Sequence, residues 1–172
     1  LSFLARLFGE KEERSRLDPL YSAVVAAGRT PAWYRDGRVP DTLEGRFDMV
    51  ASILALVLLR LEREGEAARA EAVLLTEAFI DDMDGTLRQI GIGDFVVGRH
   101  VGRLMGALGG RLEAFRAAPG GDFEAAVRRN IFRDSPPSAE AVAFVAGGLR
   151  RFDAELARAS LERLLEGGLP TP

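Results

Sequence analysis

Apolar residues recur along this chain every three or four positions, the spacing that gathers them on one face of a helix. Val73, Thr76, Ile80, Met83, Leu87 and Ile90 fall on one such stripe, and Glu77, Asp81, Asp84 and Arg88 fall on another. The spacing predicts an amphipathic helix over 66–90. Gly91 and Gly93 stop it, and Asp94 caps a further helix over 94–117. Upstream, Asp18-Pro19 and Thr30-Pro31 each read as a cap followed by proline at the first helical position. The first opens a helix through Leu20, Tyr21, Val24 and Val25 to Gly28. The second opens a short turn whose Trp33 and Tyr34 are expected to lock the connector onto the core. Asp41 and Glu44 form a capping box for a helix over 42–64. Its run from Met49 to Leu59 is apolar on nearly all faces, which marks the central core helix. Asp122 and Ser138 cap helical regions that extend through Phe132 and to Glu166, with Gly147-Gly148 expected to kink or divide the second.

No strand-like alternation and no internal repeat interrupt this pattern. The expectation is an all-α, single-domain bundle of about seven helices around the apolar helix near 42–64. Residues 1–16 form an amphipathic, charged N-terminal segment, 17–166 the helical domain and 167–172 a loose tail. Phe3, Leu4, Leu7 and Phe8 share one face of that first segment. With Arg6 as the one base beside them, docking on the domain or fraying is favoured over lipid binding.

One feature of the 94–117 helix runs against propensity. Gly98, Gly102, Gly106 and Gly110 recur every four residues. Each interior glycine costs about 1 kcal/mol relative to alanine, so the stripe is expected to permit close approach of another helix. Arg99, His100, Arg103 and Arg111 interrupt it, which favours packing in water over a membrane dimer motif. A partner helix lying in the groove is the functional variant.

Composition narrows the chemistry. The chain has 172 residues, 47% hydrophobic and 28% charged, as an ordinary globular protein does. A net charge of −3 gives no electrostatic case for nucleic-acid binding. There is no cysteine and one histidine, His100, which removes thiol chemistry, Cys-ligated zinc and paired-histidine metal sites. Met49–Leu59 is too short to span a bilayer, which needs about 20 apolar residues. No secretory signal is expected in the opening stretch.

Candidate catalytic motifs fail on spacing. GIGDFVVG lacks the third glycine of a dinucleotide fingerprint and follows a helix rather than a strand. An EF-hand loop begun at Asp82 reaches Gly93 where a glutamate is required. No serine lies in a nucleophile elbow. A carboxylate metal site from Glu77, Asp81, Asp84 and Asp94 is the remaining enzymatic alternative. It is disfavoured, because a solvated helix face with an Asp84–Arg88 pair explains the same residues. No cofactor is expected. Arg46 sits near the positive end of the central helix, against the dipole, which points to an ion pair or a partner contact.

Two stretches carry a specific likeness. TPAWYRDGRVPDTLEGRFDM, Thr30–Met49, and FIDDMDGTLRQIGIGDFVVGRHV, Phe79–Val101, together resemble the ubiquinol–cytochrome c chaperone family. These are assembly factors for the respiratory cytochrome bc1 complex of alphaproteobacteria and mitochondria. The resemblance covers roughly residues 18–133 and includes Arg129-Asn130-Ile131-Phe132. Gln89 stands where the family usually has Glu, and Arg99 where it usually has Lys. Ser52, Ile53 and Leu54 occupy a region where many relatives carry a histidine, so a haem contact there is not supported.

The resemblance implies a non-enzymatic chaperone whose partner is newly made cytochrome b or another bc1 subunit. It implies a cytoplasmic protein, peripheral at the inner face of the cytoplasmic membrane, or on the matrix side in a eukaryote. The client surface expected from it comprises Tyr34, Asp41, Arg46, Asp48, Asp84, Arg88, Gly91, Gly93, Asp94, Gly98 and Arg99. The alternative is a helical homodimer formed through the Gly98, Gly102 and Gly106 face.

Overall fold

The computed structural model describes residues 15–89, 94–117, 122–133 and 136–172, with the side chains of 87–89 and 94–101 left undescribed. Eight α-helices are described: α1 (Asp18–Gly28), α2 (Pro31–Arg35), α3 (Leu43–Glu62), α4 (Arg69–Gln89), α5 (Asp94–Ala117), α6 (Phe123–Val127), α7 (Ala139–Leu156) and α8 (Leu161–Leu165). A 3₁₀ turn, Gly65–Ala68, leads into α4, and a π-helical turn, Arg128–Phe132, follows α6. No strand occurs among the described residues.

The central helix is α3. Its apolar run from Met49 to Leu59 is buried throughout, because α1, α4, α5, α7 and the π turn pack around it. A helix apolar on every side can be satisfied only in this position. The crossing with α1 is close. A Cβ on Gly28 would stand 2.7 Å from the Val50 Cα, so α1 ends on the residue that lets the backbones meet. No described helix is long and apolar enough to cross a membrane.

The caps differ in detail from expectation. Asp41 does not cap α3; Thr42 does, its Oγ1 accepting from the Gly45 N–H at 3.1 Å. Asp41 is instead engaged by Arg46. Leu17, not Asp18, occupies the cap position of α1, and no side chain caps it. Asp122 and Ser138 cap α6 and α7 as expected, accepting from the N–H groups of Ala125 and Ala141.

The Gly147-Gly148 pair neither kinks nor divides α7, which runs through it. The division comes later, where Ser160 accepts from the Arg163 N–H and opens α8. Gly148 serves packing. A Cβ there would lie 2.6 Å from two carbons of the Trp33 ring. Trp33 is buried, and its Nε1 donates to the Ala27 carbonyl at 2.9 Å. Tyr34 Oη donates to the Gly28 carbonyl at 2.7 Å. The aromatic pair therefore locks the α1–α2 connector onto the core.

Helix α4 is rotated from its expected setting. Leu75 and Phe79 are buried and Ile80 and Met83 pack partly buried against the core, whereas Val73 is 54% exposed. The longer side chains of Leu75 and Phe79 win the core, and Phe79 meets the Phe47 ring at 5.7 Å. The stripe of Val73, Thr76 and Ile80 is turned toward an open groove. The described glycines of the α5 stripe are open as well. A Cβ at Gly102, Gly106 or Gly110 would meet nothing within 4 Å. The expected close helix packing does not occur there, because α5 seats itself on the core through Leu108, Arg111 and Phe115 instead.

Arg60, near the end of α3, reaches the chain's last quarter. Its Nε donates to the Leu156 carbonyl at 3.0 Å and its Nη2 to the Ala159 carbonyl at 2.9 Å. Glu64 neutralises it at 2.5 Å. A cation at carbonyls that end a helix is favourably placed.

Candidate functional site

Two surfaces and one buried cluster stand out, and all lean on α3. The first is a cleft of about 460 Å³ where the α1–α2 connector meets the start of α3, lined by Arg29, Pro31, Tyr34, Arg35, Asp41 and Arg46. Arg46 Nε donates to Asp41 Oδ1 at 2.7 Å. That bond holds the Asp41 carboxyl below the usual range and raises Arg46. Arg46 thus has the ion pair that its place against the dipole called for. Burial pushes the Tyr34 phenol up to about 12, against an opposing pull from Arg46.

The second surface is an apolar groove of about 640 Å³ between the end of α3, α4 and α5. Leu58, Leu61, Val73, Ile80, Met105 and Leu112 supply its walls. Val73 and Met105 are exposed, at 54% and 43%. Glu62 and Glu66 stand at the rim, paired with Arg116 and Arg69. An open groove with apolar walls and a paired polar rim suits an apolar segment of another chain.

The third feature is a buried charge node. Asp48 is 2% exposed and does not stand on a rim as expected. Its Oδ1 accepts from Arg111 Nη2 and from Arg133 Nη2, each at 2.5 Å. Arg111 is also buried; its Nη2 donates to the Asn130 carbonyl at 2.6 Å and its Nη1 to the Ala107 carbonyl at 2.9 Å. Its guanidinium lies over the Phe47 ring, 5.7 Å from the centroid. Burial pushes the Asp48 carboxyl up and the Arg111 guanidinium down, opposing the attraction between them. The node ties α3, α5 and the π turn together.

The structure therefore gathers Tyr34, Asp41 and Arg46 in one cleft, and carries Asp48 into the interior beside it in sequence but not in exposure. Asp84 is half-buried on α4. Gly91 and Gly93 lie outside the described residues, as do the side-chain positions of Arg88, Asp94, Gly98 and Arg99. Among the described residues no group of three or more His, Asp or Glu is placed to hold a metal ion.

Sequence reasoning missed Arg111 and Arg133. Arg111 was visible as a charge on the Leu108–Phe115 core stripe, a position that demands a buried partner. Arg133 had no such mark; it reaches Asp48 from a left-handed backbone position, φ 38°.

The comparisons with known proteins decide the family. The ubiquinol-cytochrome C chaperone model matches residues 35–171. The chain belongs to that family. The match includes α3, the groove and the charge node; it begins later than the 18–133 stretch that the motifs suggested and runs further, to 171. The chain is also similar to the solved structure of the Cbp3 homolog from Brucella abortus, with 29% identity and a TM-score of 0.80. That likeness covers 99% of this chain and 97% of the other. No curated protein matches the chain.

Proposed function

We propose that this member of the family is a non-enzymatic chaperone that binds newly made cytochrome b and promotes assembly of the bc1 complex. The observation that carries this is the family match over 35–171. The apolar groove supports it, because a subunit not yet assembled presents apolar surface that a chaperone must cover. Val73 and Met105 give that surface its contacts. Tyr34, Asp41 and Arg46 offer a polar foothold for the same client. Asp84, Arg88, Gly91, Gly93, Asp94, Gly98 and Arg99 belong to the Phe79–Val101 motif and complete the proposed client surface. The work is done at the inner face of the membrane, where the client is made.

The test is a host strain carrying Val73→Asp with Met105→Asp. Co-purification of cytochrome b with the chaperone falls, and bc1 content measured by haem spectra falls with it. A full deletion that leaves bc1 content normal refutes the reading.

The open stripe favours one second reading, a homodimer through the Gly98, Gly102 and Gly106 face. Light scattering decides it: a dimer that Gly102→Leu splits supports this reading, and a strict monomer removes it.

A further inference from the structure

A small cleft of about 260 Å³ opens between α5 and the π turn, beside the charge node. Its floor includes Gly106 and Gly110, whose missing side chains leave backbone bare toward solvent. Its walls carry Arg111, Arg129, Asn130 and Arg133. Among the described residues Asp48 is the one carboxylate bonded to this group of guanidiniums, so three positive charges face one negative there. Arg129 is exposed and makes no ion pair among the described residues. Arg133 is half-exposed beside Asp48, in a backbone conformation that a non-glycine residue adopts only under constraint. Arg111 is 1% exposed, yet its Nε has no hydrogen-bond partner among the described residues.

A buried guanidinium already costs free energy through desolvation, and an unused donor adds to that cost. Two glycines in mid-helix cost about 1 kcal/mol each. A π turn is itself a costly element that gathers at functional sites. Tying α3, α5 and the π turn together accounts for Arg111 and Arg133 at Asp48, but not for the bare glycines or for Arg129 beside them.

We propose that this cleft binds a phosphate group, held by Arg129 and Arg133 against the bare backbone of Gly106 and Gly110, with Arg111 behind. The surplus of two positive charges among the described residues matches a phosphate carrying about −1.5 to −2 at neutral pH. Guanidiniums approaching from α5 and from the π turn suit a tetrahedral group better than a planar carboxylate. The volume lies below the 300 Å³ or so at which sites for drug-sized ligands begin, which fits a single phosphate group. Free phosphate and the head group of an anionic phospholipid share this chemistry.

The test uses the full chain, with inorganic phosphate titrated against chloride at matched ionic strength. Thermal unfolding shifts up by roughly 3–6 °C at about tenfold excess over Kd. Arg129→Gln weakens binding by about tenfold or more. Gly106→Val fills the cleft without removing a charge and abolishes binding while the fold is kept. Arg158→Gln, elsewhere on the surface, leaves binding unchanged. Sedimentation with phosphatidylglycerol and with phosphatidylcholine vesicles identifies the source. Binding to the anionic vesicles that Gly106→Val removes supports a lipid head group, and binding of free phosphate alone supports the soluble ion. No phosphate shift beyond that of chloride, together with no vesicle binding, overturns the proposal. So does a shift that both cleft variants retain, or one given by an acidic peptide and not by phosphate.

Discussion

Asp48 and Arg111 lie 63 residues apart in the chain and meet in the interior, with Asp48 Oδ1 shared between Arg111 and Arg133. Burial works against both charges, so the pair holds only while each has the other. Removing one partner strands the other. Asp48→Asn is expected to lower stability by about 3–5 kcal/mol in denaturant titration. Asp48→Leu combined with Arg111→Met is expected to lose less than Asp48→Asn alone, because no unpaired charge remains.

Much of this fold was readable before any coordinates. Met49–Leu59 is apolar on every side, and only a central position satisfies that. The Pro and cap residues placed the starts of α2, α6 and α7. Pairwise competition was not readable. Asp41 and Thr42 both cap well on paper, and Arg46 decided between them by taking Asp41. Leu75 and Val73 both fit an apolar stripe, and the larger partner Phe79 turned α4 toward Leu75. For the candidate site, Tyr34, Asp41 and Arg46 were found from one motif because they are near in sequence. Arg111 and Arg133 escaped because their common partner is far away in the chain.

Trp33 and Gly148 form a contact that tolerates no addition. A Cβ at 148 would stand 2.6 Å from the ring, and the indole is fixed by its bond to Ala27. Gly148→Ala is expected to cost about 1–3 kcal/mol through overpacking. Gly147→Ala meets only the Arg151 side-chain tip at 3.5 Å and is expected to gain about 0.5–1 kcal/mol from helix propensity. Thermal melts of the two variants check the contrast.

Both tyrosines of the chain have raised phenol pKa values, Tyr34 to about 12. For Tyr21, burial and a 2.7 Å hydrogen bond to Asp82 act together. A raised folded-state value means that the unfolded chain loses its protons first, at about pH 10. The stabilisation is complete below that pH and is lost as pH rises through the folded values. Tyrosinate absorbance of the native protein is expected to rise only above pH 10, and Tyr34→Phe to remove the component near 12.

The open glycines of α5 make an opposite prediction from the packed one on α7. Gly102 has nothing within 4 Å of a Cβ. Gly102→Ala is therefore expected to stabilise the isolated chain by about 1 kcal/mol. A loss of stability in chemical denaturation would show that a contact covers this face.

Arg60 gives the molecule an order of completion. Its guanidinium is sheltered among groups that include the carbonyls of Leu156 and Ala159, 96 and 99 residues further on. A nascent chain emerging from the ribosome has its central helix long before it has those acceptors. Until Leu156 and Ala159 are in place, Arg60 keeps its pair with Glu64 and stays hydrated, so its burial waits on those two acceptors. A chain cut short before Leu156 would leave Arg60 without both carbonyl acceptors, a fault at the end of the central helix rather than merely a shorter terminus.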